Sequence, residues 1–422
     1  MDNFLHTVWL SLSCTPGLET FSKLLNRFSS PEKIYDADGE SIASCIGSRS
    51  SDYNLLIDKR LERAERIIDF CKRKNIGILT YFDDKFPNNL RKIKNPPVLL
   101  YYRGVLPDFN NETFISIVGT RLLTDYGKKN TFSVSCDLAR AGAVIVSGMA
   151  IGIDGVAHSG ALAAGKKTVA ILGCGIDICY PIHHRKLAQN IVKCGCVITE
   201  YAPGTRPDKY NFPIRNRLIS GLSEATLIIE GRERSGALIT ARRALEQKRL
   251  VYALPGNVGN VNSEASNLII KNGAKLFTSA DDIVRDFDKF YPGKLNPFAL
   301  SEQFNTDMNF VLSELEVSSE VRSFDKTRIT ENASVKSNES SSPKEEAVTD
   351  EKQIEKVESE VFAFDKNMLS LYKKIPVNKD CSVEDLIDES HPLRDVMQCL
   401  LKLEIAKFIV MLPGDRVKRN LK

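Results

Sequence analysis

Between about residues 110 and 290 the apolar positions fall in short runs rich in Val and Ile. Each run leads into a glycine-bearing stretch, and segments with helical spacing separate them. The runs are Phe114–Val118, Val144–Ser147, Thr168–Leu172, Val197–Glu200, Thr226–Glu230 and Val251–Leu254. Strands alternating with helices in this way predict an α/β fold, a parallel sheet covered by helices on both faces.

The flanks read differently. Up to about residue 70 the spacing is helical, with Leu5, Val8, Trp9 and Leu12 on one stripe and Leu55, Leu61, Ile67, Ile68 and Phe70 on later ones. Thr15-Pro16-Gly17 and Ser29-Ser30-Pro31 punctuate these helices as turns. A Ser/Glu/Lys/Asn-rich stretch that includes Ser340-Ser341-Ser342-Pro343 carries few large apolar residues. It cannot offset its ordering entropy and is expected to be a disordered linker. Apolar spacing returns in the tail. Helices are expected around Met368–Tyr372, Ser382–Ile387 and Leu393–Leu403, followed by a two-stranded ribbon over Ala406–Asp415, an arrangement that describes a winged helix. The expected segments are 1–72 helical, 73–290 α/β, 291–358 linker and 359–422 winged-helix-like.

Composition narrows the class without deciding it. With 422 residues, 42% hydrophobic and 27% charged, the chain has material for two or three soluble domains. A net charge of +4 is too small to name a partner, so the placement of the positive charge matters more than its sum. The ten cysteines are scattered, without a C-x-x-C pair, and no signal-peptide pattern opens the chain, so a reducing cytoplasmic setting is expected. No apolar run approaches membrane-spanning length.

Candidate chemistry lies just after the strands, where open α/β sheets hold their ligands. Gly119-Thr120-Arg121 follows the first run, Ser147-Gly148 with Gly152-Ile153-Asp154 the second, Gly173-Cys174-Gly175 the third and Arg234-Ser235-Gly236 the fifth. Glycines let a ligand approach the backbone, the start of a helix at Ser235-Gly236 attracts anions, and an Arg fork suits a phosphate. The connection after the fourth run adds Lys209, Phe212 and Arg215-Asn216-Arg217, cations for phosphates and an aromatic face for an unpaired base. Arg206, Arg232, Arg242 and Arg243 lie nearby. Each has a plainer reading. Arg215 and Arg217 can be ion-paired residues that fix the loop, Phe212 a core anchor, Gly148 and Gly152 packing glycines, and Thr240 a hydroxyl bonded back inside its helix.

Together these stretches resemble the DNA-processing protein A (DprA, or Smf) family over roughly residues 80 to 285. Besides the loops above, the matching residues are Ala157-His158, Tyr180-Pro181, Glu200-Tyr201, Pro203-Gly204-Thr205, Phe212-Pro213-Ile214-Arg215-Asn216-Arg217, Thr240-Ala241 and Pro255-Gly256. The resemblance implies an extended Rossmann-like sheet between a helical (SAM-like) N-terminal domain and a winged-helix-like C-terminal domain. It also implies a homodimer that binds single-stranded DNA and helps load the RecA recombinase during natural transformation. By position, Arg121 and Lys209 are expected in a phosphate pocket and Phe212, Asn216 and Arg217 along the groove. Gly119, Ser147, Gly148, Ser235, Gly236 and Thr240 are expected as loop contacts. The chain departs from the family pattern at Ile151, His184 and Ala265, where Arg, Asn and Gly are usual.

A nucleotide-hydrolysing Rossmann-fold enzyme is the rival reading, with Glu200 and Glu230 at strand ends as candidate acids. Arg234-Ser235-Gly236-Ala237 stands where such hydrolases carry Pro-Gly-Gly-x-Gly-Thr, and no partner base stands out. No G-x-G-x-x-G opens the first helix, which argues against a dinucleotide cofactor. His183-His184 and Cys194-x-Cys196 do not offer four ligands at a zinc spacing. A DNA-binding protein without catalysis, cofactor or metal is the expectation.

Overall fold

The computed structural model describes residues 2–233 and 235–300, then separate positions and short segments of the C-terminal part, chiefly 369–376, 380–387, 408–412 and 416–419. By contacts the chain divides into two compact units, Met1–Lys326 and Thr327–Lys422.

Six helices open the first unit: α1 (Asp2–Ser13), α2 (Thr20–Phe28), α3 (Pro31–Asp36), α4 (Gly39–Ile46), α5 (Tyr53–Ile57) and α6 (Glu62–Arg73). Local chemistry sets their starts. Ser30 caps α3 with Pro31 in its first turn, and the Asp38 carboxylate accepts the Ser41 N–H at 2.7 Å to cap α4. Val8, Trp9, Phe21, Ile34, Ile42 and Leu56 are buried between them. They belong to the same apolar cluster as Leu99, Tyr101, Leu172 and Val197 of the sheet region. The boundary expected at residue 72 does not interrupt this core.

The sheet has nine strands in the order β1-β2-β6-β5-β4-β3-β7-β8-β9. The six expected runs are β3 (Thr113–Val118), β4 (Ala143–Ser147), β5 (Thr168–Ile171), β6 (Cys196–Thr199), β7 (Ala225–Ile228) and β8 (Leu250–Ala253), each parallel to its neighbours within this group. Beyond the expectation come β1 (Gly77–Thr80) and β2 (Leu99–Gly104), an antiparallel pair whose inner member is antiparallel to β6. A short β9 (Lys275–Leu276) extends the other side in parallel.

Helices cover both faces, as fully buried parallel strands require. Ile115, Ile145 and Leu227 pack with residues of α8 (Asp125–Arg140), α9 (Ile153–Ala163) and α14 (Ala280–Asp288). Phe114, Val144 and Ile228 point the other way, to α11 (Asn211–Leu222), α12 (Gly236–Glu246) and α13 (Glu264–Lys271). The remaining elements of this unit include α7 (Asn88–Arg91) and α10 (Arg185–Cys194). Packing of the first unit continues past residue 291, where a linker is expected. Leu295 is buried, and the Asn296 N–H donates to the Ala141 carbonyl at 2.8 Å, so packing reaches the turn at Pro297–Leu300. Residues 301–307 and 314–358 lie outside the described residues.

In the second unit a helix at Leu369–Lys374 precedes a three-stranded antiparallel sheet, β10 (Cys381–Ser382), β12 (Arg416–Arg419) and β11 (Ile409–Leu412) in that order. The expected helix over Ser382–Ile387 is replaced by β10 and a 3-10 turn at Glu384–Leu386, because the Asp385 carboxylate accepts the Ser382 N–H at 3.1 Å. Leu371, Val396, Leu400, Ile409 and Val417 form its core.

Candidate nucleic-acid interface

Strand order reverses at β3, which has β4 on one side and β7 on the other. The carboxyl ends of these strands therefore open onto a crevice, the usual ligand position in such sheets. A cavity of about 490 Å³ lies there. Gly119, Thr120 and Arg121 enter its wall from the end of β3, Ser235 and Gly236 from the start of α12, and Lys209, Phe212 and Asn216 from the segment that opens α11. Gly119 is required, since a Cβ there would sit 2.5 Å from Ile153 Cγ1. Gly152, at φ +90°, turns the β4 loop against the Thr120–Arg121 backbone, and the Ile153 N–H donates to the Thr120 carbonyl at 3.2 Å.

Phe212 is the floor against which the cations stand. Arg121 Cζ lies 5.4 Å and Arg215 Cζ 5.8 Å from its ring centre, within cation–π range. Its edge rests on Gly173, where a Cβ would approach Phe212 Cδ1 to 2.8 Å. Lys209 is exposed, with Nζ 5.1 Å from the centre of the Tyr210 ring.

Arg215 is 3% exposed and serves as a clamp. Its Nη1 donates to the carbonyls of Gly148, at 2.9 Å, and Ile171, while Nε donates to Asn216 Oδ1 at 3.1 Å. One side chain thus ties the ends of β4 and β5 to α11. Gly148 has no room for a Cβ, which would lie 2.6 Å from Arg215 Nη2. Burial pushes the Arg215 guanidinium below its ordinary value and Asp154 opposes that shift. Burial pushes the Asp154 carboxyl up, and Arg215 pulls it back. Arg215 therefore offsets an acidic group on the wall of a cavity otherwise rimmed by cations.

At the start of α12, Ser235 occupies the N-cap position but makes no side-chain cap bond, and its Oγ is buried without a partner among the described residues. The first N–H groups of a helix have no intrahelical acceptor, so this end presents donors to the cavity.

The family profile described as DNA recombination-mediator protein A matches residues 77–288, half of the chain and all nine strands of the sheet. The chain belongs to this family. It is 40% identical over 220 residues to the DNA processing protein DprA of Streptococcus pneumoniae, covering 52% of this chain and 76% of that protein. It is 35% identical over 242 residues to DprA of Bacillus subtilis, covering 57% and 82%. The X-ray structure of DNA processing protein A from Streptococcus pneumoniae aligns with a TM-score of 0.56 at 34% identity, covering 64% of this chain and 92% of that one. The chain is thus of the DNA-processing kind, built on the fold of DprA.

Among the residues expected from the DprA pattern, Gly119, Arg121, Lys209, Phe212, Asn216, Ser235, Gly236 and Thr240 line one cavity. The Thr240 hydroxyl donates back to the Gly236 carbonyl at 3.1 Å, so its hydroxyl proton is used inside α12. Three expected contacts lie elsewhere. Ser147 is fully buried and its hydroxyl donates to the Ile117 carbonyl at 2.7 Å, tying β4 to β3. Gly148 makes room for Arg215 rather than for a ligand. Arg217 is turned inward, and its Nη2 donates to Glu200 Oε2 at 2.6 Å, so it is an internal ion pair and not part of the groove. Arg206, Arg232, Arg242 and Arg243 are exposed and stand off the wall, Arg243 paired with Glu246 at 2.9 Å. Arg234 lies outside the described residues.

The departures have local explanations at two positions. His184 is buried, and its Nδ1–H donates to the Met149 carbonyl at 3.0 Å, holding the left-handed Met149 (φ +57°) in the β4 loop. Ala265 is buried where its N–H donates to the Gly231 carbonyl at 2.8 Å, behind the loop that leads to α12. Tyr180, Ala150 and Asp154 also line the cavity, although the sequence pattern assigned them no contact. For Tyr180 the available signal was an aromatic five residues beyond the glycine-rich strand end Gly173-Cys174-Gly175 and next to a proline. Among the described residues no three metal-ligating side chains converge.

Proposed function

We propose that this protein binds the sugar–phosphate backbone of single-stranded DNA across the carboxyl ends of β3, β4 and β7, with Arg121 and Lys209 gripping phosphates and Phe212 supporting a base. The carrying observation is that both cations, the aromatic ring and the start of α12 line one cavity. Cations and helix N-terminal N–H groups suit phosphates, and an aromatic face suits an unpaired base whatever its sequence. Backbone contacts carry no base information, so sequence preference should be weak.

The same reading makes the protein a binder and not a nucleotide hydrolase. Glu200 is paired with Arg217, and Glu230 accepts hydrogen bonds from the Thr124 N–H at 3.0 Å and the Thr124 hydroxyl, which pin the start of α8. Both carboxylates are thus occupied in holding elements together. By resemblance to its family, the protein would act as a homodimer in the cytoplasm, protecting incoming DNA and helping load RecA in natural transformation. The second unit would be a winged helix. Its basic residues, Lys407, Arg416, Lys418 and Arg419 among them, suit a partner protein as well as duplex DNA.

Gel shift of single- and double-stranded oligonucleotides across a salt series tests the reading. Wild type should retain the single strand preferentially, and Arg121→Glu should abolish the shift while its circular dichroism spectrum stays unchanged. Normal affinity in that variant would remove Arg121 from the interface and the proposal with it.

A further inference from the structure

Phe212 does not stand alone on the cavity wall. The Tyr180 ring lines the same cavity, its centre 5.4 Å from that of Phe212 and its plane inclined by 31°. Tyr180 is half-buried. The hydroxyls of two tyrosines near the same strand ends are tied down: Tyr201 donates to the Asn211 carbonyl at 3.2 Å and Tyr126 to the Pro255 carbonyl at 2.7 Å. Tyr180 makes no such bond among the described residues. Arg121 stands 5.4 Å from the Phe212 centre, so a phosphate held by Arg121 brings its own or the adjacent nucleotide to these rings.

From this juxtaposition we infer that Tyr180 is a second base-stacking residue, and that Tyr180 and Phe212 together receive two consecutive unpaired bases. The inclination supports two bases over one, because a base lying flat on one ring cannot also lie flat on the other. Phe212 has one edge against Gly173 and the two guanidiniums over its ring, so the ring is held as a fixed step. Stacking requires only a π-face, so this pair adds affinity for unpaired bases without reading sequence. A duplex, whose bases already stack on one another, gains nothing from it. The inference rests on the single-strand reading above and extends it from one supported base to two.

The test is fluorescence anisotropy with a labelled oligodeoxythymidylate and with an abasic strand of the same length and charge. The proteins are wild type, Tyr180→Leu, Tyr180→Phe and Arg121→Glu. Tyr180→Leu keeps an apolar side chain against its neighbours but removes the π-face. It should bind the thymidylate about tenfold more weakly than wild type, and Tyr180→Phe should bind it normally. On the abasic strand Tyr180→Leu and wild type should be equal, whereas Arg121→Glu should fail on both. Undiminished thymidylate binding by Tyr180→Leu would overturn the inference, as would an equal loss on both strands, which would mark a structural role. Full binding by Arg121→Glu would instead overturn the phosphate reading on which the inference is built.

Discussion

Asn216 and Arg217 are adjacent in sequence and face opposite environments. Phe212 and Asn216 are four apart on α11 and share the face that lines the cavity, while Arg217, about 100° further round, meets Glu200 inside. The Arg217 and Glu200 side chains are only 4% and 5% exposed, and burial pushes the Glu200 carboxyl up while Arg217 opposes it. Removing one member of such a pair strands the other, typically at about 3 kcal/mol or more. Arg217→Met should therefore lower the urea midpoint strongly, and Glu200→Met added to it should restore part of the loss. A single variant as stable as wild type would contradict this. The candidate site was legible where chemistry is local, as in an Arg behind a glycine at a strand end. At Arg217 the sequence left groove contact and ion pair both open, and at Ser147 it missed the role, because these depend on Glu200 and Ile117, residues distant in sequence that the fold brings beside them.

At the scale of elements, α9 and the β4 loop are fastened by two buried histidines. His158 on α9 shares a 2.7 Å hydrogen bond with the Thr168 hydroxyl of β5, and His184 holds the Met149 carbonyl. Burial, with His184 and Arg215 adding to it, pushes His158 down to about 3, and burial also lowers His184. An unfolded histidine titrates near about 6.5. The folded value is the lower one, so the unfolded chain binds the proton first as pH falls. The stabilisation is complete above about pH 6.5 and is lost progressively towards about pH 3, at up to about 1.4 kcal/mol per pH unit for each histidine. Urea unfolding between pH 7 and 5 should show stability falling more steeply in wild type than in His158→Gln, and parallel slopes would contradict this. The parallel strands β3 to β8 were legible because each is a continuous apolar run between glycine-bearing loops. The antiparallel edge was not, because β2 is defined by its pairing with β6, more than ninety residues away (Tyr102 opposite Ile198). In the second unit the spacing over Ser382–Ile387 favoured a helix, yet the pairing of Cys381 and Ser382 with Val417 and Arg416 prevailed.

For the molecule as a whole, 58 Lys and Arg against 54 Asp and Glu leave almost no net charge to attract a polyanion. Affinity for a nucleic-acid backbone must then come from placement, from the few cations that the strand order gathers at one crevice. No helix among the described residues is long and apolar enough to cross a membrane. The most direct measurement is the salt dependence of single-strand binding by wild type and Arg121→Ala. Each phosphate neutralised on a single strand contributes about 0.7 to the slope of log affinity against log salt. The expected result is a weaker Arg121→Ala complex with a slope shallower by about that amount. An Arg121→Ala protein with wild-type affinity and an unchanged slope would mean that no phosphate is held there.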